Sequence, residues 1–220
     1  MSKTQLKYLY PLLFAVGVIF ILLALSIIFE IYKSPFWIDE GGVVENATVL
    51  GYVLCVVYII IKGGLDYIKK YPYFVLIPIL FALRELDFDK RFTTMGILKL
   101  KFYFSDKVPL NEKIVGLLVI ALLAYVVISI IKNHLKDFLI NLKQGSPVAI
   151  GALLIFLAAG ISKSVDGIGR KLSSLGINIS ENFSNIALVV EEILELGIPI
   201  LLLATYYVYF SMQNSKKEIK

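Results

Sequence analysis

Arg84-Glu85-Leu86-Asp87-Phe88-Asp89-Lys90-Arg91 sets six charges in eight residues directly behind the apolar run Tyr73 to Leu83. At the centre of a bilayer each ionised side chain costs roughly 2.5–3.5 kcal/mol on insertion scales unless it pairs or meets water. Such a cluster needs partners, and three other charged knots offer them: Asp39 to Glu45, Lys163 to Lys171 and Glu191 to Glu195. The run itself is short for a membrane span and holds Pro72 and Pro78, so it reaches full length only if the charged cluster continues the helix. The charges then sit at the membrane boundary, and the rest of the chain reads as further spans gathered around them.

Composition agrees. Hydrophobic residues make up 58% of the chain and the mean hydropathy is +0.81, above the roughly 45–50% apolar share of soluble domains. The expectation is an all-α polytopic membrane protein, one integral domain of about six transmembrane helices at approximately 9–32, 47–62, 71–91, 114–131, 147–163 and 185–210. The first run is too long for a signal-peptide core and no small-x-small cleavage site follows it, so it is expected to be retained. Gly41-Gly42 predicts a flexible turn and Gly145-Ser146-Pro147 a stop and restart. Residues 92–113 form the longest connection, and the alternation in Gly96 to Phe104 predicts an interfacial or re-entrant segment after helix three. Lys132 to Lys143 reads as a basic linker.

Cys55 is the single cysteine, amid apolar residues, which excludes an internal disulfide and points to core packing. His134, the single histidine, excludes a site built of several imidazoles and reads as a solvated interfacial residue. The net charge of +5 is spread over short loops, the habit of an inner-membrane protein, and no nucleic-acid partner is expected.

An even number of spans places both termini on one side. The 22 Lys and Arg residues then divide equally between the two sides. Lys3 and Lys7 ahead of the first helix outweigh Lys33 behind it, which makes both termini cytoplasmic. The carboxylates are not shared in this way: of 17, only Asp66, Asp137 and Glu218 fall on the terminal side.

On a helix, Glu191, Glu192 and Glu195 fall within about 100° of one face. In the first cluster Arg84, Asp87 and Arg91 would share one face and Glu85 and Asp89 another. Carboxylates this close call for positive charge, from side chains or from a divalent cation held by oxygen ligands. A polar cavity at the non-cytoplasmic face would use Glu45, Glu85, Asp87, Glu191 and Glu195 as catalytic acid–base candidates. Arg84, Lys90, Arg91, Arg170 and Lys171 would clamp an anion, and Asp39, Glu40 and Glu192 would hold magnesium, calcium or manganese. The plain alternative is that each knot pairs internally and merely ends its helices.

The ordered set Asp39-Glu40-Gly41 with Glu45, then Arg84-Glu85-Leu86-Asp87 with Lys90-Arg91, then Glu191, Glu192 and Glu195, resembles a group of uncharacterised bacterial polytopic inner-membrane proteins. That resemblance implies a fold and a location but no activity. A looser similarity is to alkaline ceramidases, whose early Trp and acidic residues bind calcium. Trp37, Asp39, Glu40 and Glu45-Asn46 look like that set, but the histidines of the ceramidase zinc site have no counterpart here.

The expected function is therefore a bacterial inner-membrane protein whose outer charged site binds an anionic lipid head group or lipid-linked phosphate, with or without a divalent cation. Membrane lipids are the expected partners. The other classes are a proton- or cation-coupled transporter or small channel, and a non-catalytic subunit that docks another membrane protein or a second copy of itself. No reaction is assigned by the sequence.

Overall fold

Proline opens three of the long helices, standing in the first turn of α1 (Tyr10–Ile28), α4 (Pro72–Glu85) and α8 (Pro147–Val165). There its missing N–H leaves no intrahelical bond unmade. The computed structural model describes residues 6–39 and 41–218, and no strand occurs among them. After α1 come a 3₁₀ turn (Ile31–Lys33), α2 (Pro35–Ile38) and α3 (Val43–Lys70). Behind α4 follow α5 (Phe88–Phe92), α6 (Leu100–Phe104) and α7 (Leu110–Lys143), and behind α8 follow α9 (Ile168–Ser173) and α10 (Glu181–Glu218).

Four stretches are long and apolar enough to cross a membrane: α1, the stretch Pro35–Lys70 that contains α3, α7 and α8. The chain thus has the make-up of a multi-pass membrane protein. At 14 residues α4 is shorter than these four. Helix α10 carries Glu191, Glu192 and Glu195 in its first half, ahead of the uncharged run Leu196 to Phe210.

The bundle is built around α10, which packs on α8, α3 and α1, while α4 lies against α3. Val189, Ile193, Leu201, Leu202 and Phe210 of α10 meet Ala15 and Ile19 of α1, Tyr52, Cys55 and Ile59 of α3 and Ala158 of α8 in one core. Glycine lets the backbones close. A Cβ on Gly51 would stand 2.9 Å from the Pro199 ring, and one on Gly197 would stand 3.0 Å from Ile19. Cys55 is fully buried, as the apolar run around it predicts, and its thiol donates to the Pro199 carbonyl at 3.4 Å. At the other end of the helices the Tyr8 and Ser215 hydroxyls are 2.8 Å apart, which joins the residues ahead of α1 to the last turns of α10.

Several boundaries differ from those the sequence predicts. Gly63-Gly64 breaks α3 where the sequence predicts, Gly64 leaving helical geometry at φ 65° and ψ −176°, but a second helical piece beyond the kink runs on to Lys70. The charged cluster does not extend α4. The helix stops at Glu85 because Asp87 takes a left-handed conformation, φ 46°, from which α5 restarts. The supposed linker Lys132 to Lys143 is the last third of α7. Gly145-Ser146-Pro147 is the predicted stop: Gly145, at φ 68°, donates to Leu142 O and Ser146 to Asn141 O, a glycine-closed helix end, and Pro147 opens α8.

His134 is half-buried instead of solvated: the ring nitrogen lies 2.7 Å from the Tyr73 hydroxyl and the ring packs against Phe74. This contact pins α7 to α4 at the terminal end of the bundle.

A carboxylate cleft where four charged segments meet

Glu195 is the centre of the site. It projects from α10 at 8% exposure, and one oxygen, Oε1, accepts from Arg84 Nη2 of α4 at 2.9 Å and from Ser162 Oγ of α8 at 3.1 Å. Three helices are tied together through that atom. Arg84 also stands 3.7 Å from Glu85 Oε1, and its side chain stays half-exposed. Because α4 ends at Glu85, Arg84 and Glu85 lie on its last turn and reach across to α10, while Asp87 turns away.

The remaining carboxylates gather round this pair. Glu192 has Glu195, Glu191, Glu85 and Glu45 as its charged neighbours, and Glu191 faces Asp166 and Lys163. Asp39 and Glu192, with Ile38 and Leu188, line an open cleft of about 470 Å³ between the end of α2 and α10. A smaller hollow of about 150 Å³ lies between α9 and α10, with Glu191 on its wall. All four charged knots therefore contribute to one end of the bundle.

The glycines of the acidic-Gly loop are tied to the start of α3 by hydrogen bonds. Gly41, at φ 80°, donates to Glu45 Oε2 at 2.6 Å, and Asn46 Nδ2 donates to the carbonyls of Gly41 and Gly42 at 2.8 Å. A Cβ on Gly42 would fall 2.7 Å from Asp39 O, so no other residue fits that place. Glu45 is thus both the clasp of this loop and a neighbour of Glu192. Glu40 lies outside the described residues.

The basic residues mostly stand apart. Lys90 pairs with Asp87 at 2.7 Å, Arg91 is exposed, Arg170 folds back beside Gly167, and Lys171 donates to Lys163 O at 3.3 Å. Of the expected anion clamp, Arg84 reaches the carboxylates of α10, through Glu195. Among the described residues no group of three or more His, Cys, Asp or Glu side chains is spaced to hold a metal ion. Two members of the site carried no signal in the sequence: Ser162, 2% exposed, one serine in an apolar run, and Tyr52, 1% exposed, which lies within range of Glu85, Arg84 and Glu195.

No family model matches the chain, and no curated protein or solved structure does. What the site can do must come from its own chemistry.

Just past the end of α8, Asp166 pairs with Lys163 of the last turn, which holds the Asp166 carboxyl below the usual carboxylate range. A depressed value stabilises the fold above that range, and the contribution is lost as pH falls through it. Lys163 is largely exposed, so Asp166→Asn is expected to cost less than about 1 kcal/mol at neutral pH. Thermal unfolding in detergent across a pH series should show the variant and wild type converging at acid pH.

Proposed function

We propose that this is a six-span membrane protein whose carboxylate cleft takes up cations, as in a proton- or cation-coupled transporter or small channel. One observation carries this: Glu192 faces the cleft with four other carboxylates as its charged neighbours and Asp39 on the opposite wall. An anion entering there meets its own sign, whereas a cation is drawn in and relieves the repulsion. Arg84 already neutralises part of the set through Glu195 and Glu85, and the surplus carboxylates are what remains for a ligand.

Six spans are supported by the way the helices alternate. The four long apolar stretches are joined by α10, of 38 residues, and α4, whose 14 residues span about 21 Å. The Tyr8–Ser215 contact sets the start of α1 and the end of α10 at one end of the bundle, in keeping with an even number of crossings. The proposal includes a bacterial inner membrane, both termini cytoplasmic and the cleft outside.

The test is cation flux in proteoliposomes under an imposed pH or potassium gradient. Glu192→Gln is expected to lower flux about tenfold or more, the loss of one binding carboxylate in a confined site, with unchanged thermal unfolding. Wild type without flux, or flux indifferent to both Glu192→Gln and Asp39→Asn, would sink the proposal.

An anionic lipid head group keeps one supporting observation: Arg84 remains half-exposed at the rim, with exposed Arg91 in the neighbouring α5. Phospholipid that stays with purified wild type but is lost from Arg91→Gln would favour it.

A further inference from the structure

The connection between α5 and α7 is a small folded body of its own. Phe102 is fully buried, Val108 is 3% and Ile97 7% exposed, and together they close on α7. A Cβ on Gly116 would stand 2.7 Å from the Phe102 ring, so glycine in α7 makes the seat for that ring. Tyr103 donates its hydroxyl to Ile97 O at 2.9 Å. The backbone is further held by acids: Asp89 accepts from Ile97 N at 3.3 Å, and Glu112 accepts from Thr94 N at 2.7 Å and from its hydroxyl at 3.1 Å.

With its inner side fixed in this way, the segment turns Leu98, Leu100 and Phe104 outward at 68%, 79% and 82% exposure. Lys99, Lys101 and Lys107 are exposed beside them. Asp89 and Glu112 are occupied by backbone donors, which leaves Asp106 as the exposed acid between Leu98 and Lys107. Apolar knobs on a rigid base, interleaved with lysines, match the boundary between acyl chains and anionic head groups.

We propose that Gly96 to Lys107 is a preformed docking platform for an anionic lipid leaflet, at the same end of the bundle as the carboxylate cleft. The charge decides the occupant. A second copy would set lysines against lysines, whereas phosphate-bearing head groups pair with them while Leu100 and Phe104 enter the acyl region. Because the platform is folded before it meets lipid, docking does not have to order the chain.

This rests on the membrane-spanning reading, and the experiment separates the two. Cys55 is fully buried, so a single introduced cysteine can be labelled with an environment-sensitive fluorophore in the full chain. Labels at Leu100→Cys and Phe104→Cys, and a control at Leu118→Cys on the exposed side of α7, are read in nanodiscs of phosphatidylcholine with or without phosphatidylglycerol. Spin-labelled lipids act as quenchers.

Shallow quenchers are expected to reach the first two labels, about twofold more strongly when phosphatidylglycerol is present. Replacing Lys99, Lys101 and Lys107 by Gln should remove that dependence without moving the Leu118 signal. Quenching that ignores lipid charge, or no quenching at residues 100 and 104 beside a quenched Leu118 label, overturns the platform alone. Energy transfer between labelled copies would overturn it in favour of self-association. An unquenched Leu118 label overturns the spanning reading and the platform together.

Discussion

Arg84→Ala is expected to destabilise the protein by about 2–3 kcal/mol, visible as a large drop in thermal midpoint in detergent. Removing one partner of a fully buried pair typically costs about 3–5 kcal/mol. The lower figure follows because the Arg84 side chain is 49% exposed while that of Glu195 is 11% exposed, so water screens one end of the pair. The loss falls on Glu195, which would be left facing Glu85 and Glu192 with only Ser162 donating to it. A cycle with Arg84→Glu and Glu195→Arg tests the pairing directly. Each reversal alone should be destabilising and the double variant should recover part of the loss. A stable Arg84→Ala would mean that the tie between α4, α8 and α10 through Glu195 Oε1 contributes little.

Gly151→Val should be at least as damaging, for a reason independent of charge. A Cβ at residue 151 would overlap Thr205 Oγ1 and lie 3.0 Å from Thr205 Cγ2 and 3.1 Å from Leu12 Cδ2. Thr205 cannot swing aside freely: it is β-branched, and its hydroxyl donates to Leu201 O at 2.7 Å. The helices α8 and α10 would have to separate along their contact, at the upper end of the roughly 1–3 kcal/mol cost of overpacking. Gly151→Ala should cost less, since alanine regains up to about 1 kcal/mol of helix propensity. Close approach through small residues is how apolar helices associate when no water is expelled between them. Yield and size-exclusion profile of the two variants would show the order.

The helices were legible and their ends were not. Apolar runs of sufficient length announce α1, α7 and α8 whatever they pack against, and Gly145-Ser146-Pro147 marks its own stop because turn chemistry is local. Gly63-Gly64 marks the break in α3 for the same reason; what it does not announce is the second helical piece beyond it, where Tyr67 packs against Phe210. Asp87 misled, since nothing in a charged run foretells one residue in left-handed geometry.

For the site, one-sidedness of the carboxylates was visible as a count along the chain, and the spacing of Glu191, Glu192 and Glu195 put them on one face. Which charge answered which was not visible. Asp87 and Lys90 satisfied each other three residues apart, whereas Arg84 reached 111 positions along the chain to Glu195. Ser162 and Tyr52 joined through packing that a uniform apolar sequence does not encode.

The break at Gly64 sets a length as well as a bend. From Val43 to Gly63 α3 rises about 31 Å, and the 19 residues of α1 and of α8 rise about 28 Å each. Three helices thus agree on a hydrocarbon core close to the average of about 30 Å. The fold should be most stable in lipids whose acyl chains match that span and less so in thicker, sterol-rich bilayers.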